Sequence, residues 1–503
     1  MLARMKTVYA MPDPEICERA RHARDARFDG RFFIAVRSTR IYCRPICPAP
    51  TAHTRNVTYF PTAAAAAEAG FRPCLRCRPE TAPGTPAWQG TSTTVARGLR
   101  LIAAGALDVG SVEDLAARLG VTSRHLARLF HEHLGASPVT VAQTRRLQFA
   151  KRLIDESHLK FSDIALAAGF GSLRRFNHTL RNTWGRSPSE LRRLRQQGRE
   201  SAARAREHPA GGIGLRVALR EPFDAAHWLD FLARRAIPGV EQVTGGAYLR
   251  VHAMASGAGL IRIEPLKNEA AAIVTVREVP PDALFDVMQR ARALLDADAD
   301  PATIAATLVR DSALRASIKA RPGMRLPGAW DPFELAVRAV LGQQVSVAAA
   351  RTLAARLVKR FGDVLEHPLA PELTHRFPSA HTIARADVQD IINVGMPAKR
   401  AAALRNLAQA VSGGQVDFSA APEELVAALQ LLPGIGAWTA QYIAMRALRD
   451  PDALPAGDLV LRNVLGGDTP LTQRGVEQRA EAWRPWRAYG LIHVWAKASG
   501  KSK

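Results

Sequence analysis

The chain has no uninterrupted apolar run approaching the roughly 20 residues that span a bilayer, and Met1 to Pro12 lacks the apolar core of a secretory signal. Both absences argue against a membrane and set the expectation of a cytoplasmic protein. Cysteine is scarce, with five in 503 residues, and none follows Cys77. Four of the five cluster, and in a reducing compartment such a cluster points to metal binding or reactivity rather than disulfides. Acidic residues are short in the front half: residues 1–206 carry 34 Lys/Arg against 16 Asp/Glu, and residues 207–503 carry 35 against 30. A basic surface releases the counterions of a polyanion, so nucleic acid is the leading partner; the plainer alternative is a solvated, soluble surface.

At 47% hydrophobic and 23% charged, the composition is globular, and 503 residues exceed one ordinary core. The segment Phe28 to Pro79 holds strand-like stretches at Phe32–Val36 and Asn56–Phe60 and is too poor in core to stand without a staple. A Pro/Gly/Thr-rich linker follows from Thr81 to Thr94. Val95 to about Arg195 is helical and nearly repeats itself. Asp114-Leu-Ala-Ala-Arg-Leu-Gly120 recurs as Asp163-Ile-Ala-Leu-Ala-Ala-Gly169, and Gly135-Ala-Ser-Pro138 recurs as Gly185-Arg-Ser-Pro188. A second linker, 198–214, is rich in Arg and Gly. Between Leu215 and about Pro322, alternating segments (Tyr248–His252, Leu260–Glu264, Ala272–Arg277) and two amphipathic helices (Ala225–Arg235, Pro281–Ala293) predict an α+β unit. Beyond Pro332 the chain reads as nearly all helix.

Cys43-x3-Cys47 and Cys74-x2-Cys77 are two chelating pairs with the spacing of a four-thiolate zinc site, while Cys17 stands apart. A zinc-bound thiolate is also a soft nucleophile, so one of the four could accept a methyl group; a purely structural zinc remains the alternative. Phe33-Ile-Ala-Val-Arg-Ser-Thr-Arg-Ile-Tyr-Cys43-Arg-Pro-Ile-Cys47 and Gly70-Phe-Arg-Pro-Cys74-Leu-Arg-Cys77 resemble the zinc domain of Ada adaptive-response proteins. That resemblance implies Zn2+ on Cys43, Cys47, Cys74 and Cys77, with Cys43 taking methyl from DNA methylphosphotriesters. The Pro-Cys-His-Arg motif of the alkylguanine methyltransferase domain in such proteins is absent.

In each helical repeat a second helix would enter the DNA major groove. Arg124 and Arg128 in the first copy, and Arg174, Arg175 and Asn177 in the second, are the side chains able to reach bases or phosphate. The duplicated unit resembles the DNA-binding domain of AraC/XylS regulators, which leaves RNA polymerase as a candidate partner.

Leu432-Pro-Gly434-Ile-Gly436 reads as a helix-hairpin-helix whose glycines let backbone N–H groups approach a phosphate. Two residues on stands Trp438, where a lysine would form a Schiff base, so cleavage should stop at an abasic site. Asp458 lies downstream before a helix, either as an N-cap or as a carboxylate that stabilises an oxocarbenium-like sugar. Asp331 to Ser346, Gly395-Met-Pro-Ala-Lys-Arg400, the hairpin, Asp458 and Trp483 to Trp495 together resemble the 3-methyladenine DNA glycosylase II family over about 215–498.

That resemblance makes Asp458 the catalytic carboxylate and implies an aromatic pocket of Phe231, Trp438, Tyr442 and Trp495. It also implies a monovalent cation on the carbonyls of Gln430, Leu432 and Ile435. Where the family carries an aliphatic wedge this chain has Gln344.

The expected organisation is multidomain. A small α+β zinc domain (1–80) and a linker (81–94) precede an all-α double helix-turn-helix domain (95–197) and a second linker (198–214). An α+β subdomain (215–322) and an all-α helix-hairpin-helix glycosylase domain (323–503) complete it. The expected protein is a monomer on alkylated and operator duplex DNA, associated with the nucleoid. The competing reading is a regulator whose back half binds damaged DNA without excising a base.

Overall fold

The computed structural model describes residues 11–83, 93–197, 212–255, 257–368 and 370–500, which divide into two compact units: 1–220 with 279–289, and 221–278 with 290–503. Most of both expected linkers lies outside the described residues. No helix among the described residues is long and apolar enough to cross a membrane.

The first unit opens with helix α1 (Pro14–Ala23) and a four-stranded sheet ordered β3-β1-β2-β4, from β1 (Phe33–Val36), β2 (Ile41–Cys43), β3 (Val57–Phe60) and β4 (Arg72–Pro73). Alternation sends Phe33 and Ala35 to one face, with Tyr42 and Phe71, and Ile34 to the other, with Phe32, Val57 and Cys17. Each face buries few residues, as expected of a domain that needs a staple. Helix α2 (Ala63–Glu68) is capped by Thr62, whose hydroxyl accepts from Ala65 N–H at 3.0 Å.

Eight helices follow: α3 (Thr93–Ala103), α4 (Ala106–Val109), α5 (Val112–Arg118), α6 (Ser123–Leu134), α7 (Pro138–Glu156), α8 (Phe161–Ala167), α9 (Leu173–Trp184) and α10 (Pro188–Gln197). The sequence repeat is a structural repeat: α5–α6 and α8–α9 are the two helix pairs. Gly135 and Gly185 end α6 and α9 in the left-handed region (φ +70° and +66°), where a side chain would be strained. The serine two residues later hydrogen-bonds the next turn, and proline takes the first helical position, where its missing N–H costs nothing. Leu126, Phe130 and Leu134 on α6, and Phe176, Leu180 and Trp184 on α9, share the same four-residue spacing and are all buried.

The second linker ends sooner than expected, because strand β5 (Ile213–Ala218) begins at 213. Arg216 N–H donates to Glu156 at 3.1 Å, and Arg152 donates to the Arg216 carbonyl at 2.7 Å, fastening β5 to α7. Phe285 packs edge-on against Phe149 and under the Arg145 guanidinium, 4.2 Å from its ring centre. Residues 215–322 therefore do not close on themselves as one unit.

The second unit begins with helix α11 (Ala225–Ala233) and an antiparallel meander of β6 (Glu241–Thr244), β7 (Ala247–Met254), β8 (Gly257–Pro265) and β9 (Ala271–Arg277). Strand β6 was not expected, since its Glu-Gln-Val-Thr has no apolar alternation. The helix expected from Pro281 is a 3-10 turn (Pro281–Ala283) leading into α12 (Leu284–Leu294).

Thereafter come α13 (Pro301–Leu308), α14 (Ser312–Ala320), α15 (Pro332–Leu341), α16 (Val347–Phe361), α17 (Ala380–Arg385), α18 (Val388–Ile392), α19 (Ala398–Ser412), α20 (Pro422–Gln430), α21 (Ala437–Ala447), α22 (Leu459–Gly466), α23 (Gln473–Ala480) and α24 (Arg487–Gly500). A shared core joins α15, α16, α19, α20 and α21 through Val337, Leu341, Leu357, Leu404, Leu429 and Ile443.

Candidate functional site

Parallel pairing of β2 with β4 sets Tyr42 opposite Pro73, and Cys74 N–H donates to the Tyr42 carbonyl at 3.0 Å. Cys43 at the end of β2 and Cys74 just past β4 are thereby neighbours, and the short loops after them return Cys47 and Cys77. All four sulfurs lie within 4.8 Å of one another. Zinc–sulfur bonds of about 2.3 Å place tetrahedral sulfurs about 3.8 Å apart, so this cluster fits zinc without rearrangement of its strands.

Cys43 and Cys47 are half-buried, whereas Cys74 and Cys77 are buried. Arg44, which the sequence reading passed over, donates its backbone N–H to Cys77 Sγ at 3.3 Å. Its guanidinium bonds the Cys77 carbonyl (3.0 Å) and pairs with Asp29. Cys17 is no ligand: it sits in the apolar layer on one sheet face, and burial pushes its thiol up to about 12.

On the DNA-facing candidates of the helical repeats, Arg124, Arg128, Arg174 and Arg175 are exposed and Asn177 is half-buried. Arg128 approaches Glu132 at 3.7 Å and His125 Nδ1 at 3.2 Å, contacts between exposed groups that phosphate can displace.

In the second unit, the hairpin joins α20 to α21. Gly434 has φ +88°, and a Cβ there would fall 2.6 Å from that of Ala403 on α19, so conformation and packing both demand glycine. Gly436 differs. It is the exposed N-cap of α21, and nothing lies within 4 Å of where its Cβ would be.

Gln343, another residue the sequence reading did not single out, ties the preceding loop to the hairpin. Its Nε2 donates to the Gly434 carbonyl (2.9 Å) and Thr439 Oγ1 (3.0 Å), while Arg400 donates to its carbonyl at 2.6 Å. This leaves Gln344 exposed at the loop tip in the left-handed region, φ +55°.

Beside the hairpin a cavity of about 530 Å³ is lined by Asp458, Trp438, Tyr442 and Trp495. Asp458 is both of the things its position allowed: an N-cap, accepting from Leu461 N–H at 2.9 Å, and a carboxylate on the cavity wall. The Trp495 indole N–H donates to Oδ1 at 3.2 Å and that of Trp438 to Oδ2 at 3.4 Å, which fixes the carboxylate plane. Trp438 stacks on Tyr442 one turn later, 5.4 Å between centres and 9° from parallel, and Trp495 closes on Tyr442 at 6.3 Å.

Burial alone would push the Tyr442 phenol up, but the Arg446 and Arg235 guanidiniums reverse this and its pKa lies below the ordinary value. Under the pocket, Arg250 donates to Glu334 (2.9 Å) and Arg338 to Glu241 (2.6 Å), a buried ion cluster whose polar groups are mutually satisfied.

Phe231 lies behind the guanidiniums that approach Tyr442, next to this wall. Its ring is buried between the guanidiniums of Arg235 (3.8 Å) and Arg446 (4.8 Å) and lines a cavity that adjoins the first through Trp495.

A four-cysteine cluster that fits zinc, two repeated helix pairs and an aromatic pocket whose Asp458 is held by two indoles beside a helix-hairpin-helix define the class: a DNA glycosylase joined to a zinc and helix-turn-helix DNA-binding segment. Comparison with known proteins agrees piece by piece. The chain matches the metal binding domain of Ada at 16–80, a helix-turn-helix domain at 115–194, the AlkA N-terminal domain at 214–331 and the HhH-GPD superfamily of base excision DNA repair proteins at 337–487.

It is 42% identical over 488 residues, 96% of both chains, to the probable bifunctional transcriptional activator/DNA repair enzyme AlkA of Mycobacterium tuberculosis. The Escherichia coli DNA-3-methyladenine glycosylase 2 is 36% identical over 54% of this chain and 94% of its own length. The bifunctional transcriptional activator/DNA repair enzyme Ada of Escherichia coli is 33% identical over 34% of this chain and 46% of its own. The chain belongs to the family of bifunctional transcriptional activator/DNA repair enzymes of the AlkA type.

Proposed function

We propose that this protein hydrolyses the N-glycosidic bond of bases alkylated at a ring nitrogen, of the 3-methyladenine and 7-methylguanine type, and that Asp458 carries the reaction. The supporting observation is the carboxylate held by two indole N–H groups on the wall of an aromatic cavity. A ring-alkylated base is a cation and a good leaving group. Trp438, Tyr442 and Trp495 stack on it through cation–π attraction, and as the bond breaks Asp458 faces the positive sugar and orients the water that attacks it. With Trp438 in place of an amine, the product is an abasic site. Gly434 and Gly436 open the hairpin to a phosphate, the carbonyls of Gln430, Leu432 and Ile435 would hold a monovalent cation that supplies positive charge there, and Gln344 enters the gap left by the flipped base.

In the front half, Cys43, Cys47, Cys74 and Cys77 would hold zinc, which would keep their sulfurs as thiolates. Half-buried Cys43 is reachable, and as a thiolate it takes one methyl from a DNA methylphosphotriester. Methylation removes one negative charge facing DNA, which tightens operator binding through Arg124, Arg128, Arg174, Arg175 and Asn177. The protein works as a cytoplasmic, nucleoid-associated monomer, with RNA polymerase as its partner at a promoter.

The deciding test is release of methylated bases from alkylated duplex DNA by wild type and Asp458→Asn side by side. Release lost in the variant, with DNA binding kept, supports this reading; no release by well-folded wild type decides for a regulator that binds damage only.

A further inference from the structure

A second cavity, of about 840 Å³, adjoins the Asp458 cavity and shares Arg235, Val347, Arg351 and Trp495 with it. Its lining is cationic. Arg234, Arg235, Arg321 and Arg351 meet there against a single lining carboxylate, Asp230, which is already paired with Arg234 at 2.7 Å. Arg321 approaches the half-buried Asp224 only at 3.8 Å, beyond hydrogen-bond distance, and lies 3.2 Å from His227 Nδ1.

Arg235 and Arg351 have no carboxylate partner among the described residues. Arg351 donates Nε to the Ala236 carbonyl at 2.6 Å, and Arg235 donates Nη1 to that of Phe231 at 3.2 Å. A guanidinium carries five N–H donors, so both keep capacity for an anion. Between them the floor is small or apolar: Val347, Ala348 and Ala355. Arg351 stands one turn into α16, directly after the loop that bears Gln344. The cationic wall adjoins the catalytic cavity through Arg235 and Arg351, which line both, whereas the hairpin glycines line neither.

We propose that this cavity is a second phosphate seat, taking a phosphodiester adjacent to the extruded nucleotide, with Arg351 as its principal ligand. A nucleotide whose base fills the Asp458 cavity carries a phosphodiester on each side of its sugar. The hairpin holds the strand at one end only, so a grip at the other fixes the sugar against the carboxylate. Guanidinium suits the task, since its planar fork meets a phosphate through two parallel bonds. This proposal rests on the glycosylase reading for what fills the first cavity.

The test uses the full chain and a duplex with one uncleavable abasic analogue, measured against undamaged duplex of the same sequence so that binding by the helix-turn-helix repeats cancels. Each phosphate near the analogue is replaced in turn by a neutral methylphosphonate. With wild type, neutralising one flanking phosphate should weaken the lesion-specific binding 3- to 10-fold. With Arg351→Ala the same replacement should have no further effect, and the logarithmic salt slope should fall by about 0.9, one phosphate's share. Arg351→Lys should regain part of the loss.

Full additivity at every phosphate, or an unchanged salt slope in Arg351→Ala, overturns the proposal. So does displacement of the effect by a free purine, which would make the cavity a base site. Because this duplex cannot be cut, the result stands apart from the base-release assay: absence of excision would sink the glycosylase reading and leave this measurement to decide the phosphate seat.

Discussion

Replacing Asp458 by asparagine keeps the shape of the side chain and removes its charge. A cation–carboxylate separation of about 4 Å at an effective dielectric near 20 is worth about 4 kcal/mol. If Asp458 meets the developing sugar cation at that range, its loss slows base release by about a thousandfold.

The fold should survive, because asparagine is as good an N-cap as aspartate and can still accept from Leu461 N–H. A secondary cost comes from the amide NH2, which must face one of the two indole donors, Trp438 or Trp495, and leaves one N–H without an acceptor; this costs about 1–3 kcal/mol of stability. Single-turnover release of 7-methylguanine from methylated duplex measures the rate, and binding to an uncleavable duplex reports the fold. A loss below tenfold, with intact binding, would refute the charge-stabilisation argument and leave Asp458 a capping residue.

The two hairpin glycines should part company. Gly434→Ala should lower the stability of the glycosylase unit by several kcal/mol through its clash with Ala403 and its positive φ, read as a drop in Tm, whereas Gly436→Ala should melt normally and lose only DNA affinity. Gln344→Leu should strengthen lesion binding severalfold by supplying an apolar wedge, since glutamine already bears the cost of the left-handed backbone at φ +55° that leucine would bear; quantitative binding to abasic-analogue duplex checks it.

Cys43→Ser should abolish the single methyl mass gain from methylphosphotriester DNA, while a gain that persists on another cysteine would reject Cys43 as acceptor. Burial, followed by the nearby His227 and Arg321 charges, lowers the His493 pKa to about 4 from an ordinary 6.5. Its contribution is therefore full above pH 6.5 and is lost as pH falls toward 4, about 3 kcal/mol at the limit. Thermal unfolding of the glycosylase unit should weaken across that window, and His493→Gln should flatten the dependence.

Sequence reading was strongest where local chemistry dictates geometry. The Cys-x3-Cys and Cys-x2-Cys pairs chelate at any approach that closes the loop between them, and Gly-x-Ser-Pro ends one helix and begins the next in both repeats. The hairpin glycines and Trp438 and Tyr442 at a four-residue spacing belong to one turn and the helix it starts, so helical geometry fixed their relations, whereas Asp458 before α22 met Trp438 and Trp495 only through tertiary packing. Strand β6 and the short helices α13 and α14 carried too little periodicity, although Asp300-Pro301 is a start signal of the same kind as Asp331-Pro332.

What depended on distant segments stayed hidden. Phe231 was expected among the pocket aromatics, but that two guanidiniums would enclose its ring had no local signal. Gln343 was overlooked because its partners, Gly434 and Thr439, are some ninety residues away. The residues 279–289 joined α7 because Phe285 found Phe149 and Arg145, a pairing with no local signature. Sequence by itself determined the chemical types, the repeats and the caps, since these rest on covalent spacing and backbone preference. Only tertiary structure decided which cavity each side chain lines and which arginines remain without a carboxylate, because helix rotation and burial are settled by packing among segments far apart in the chain.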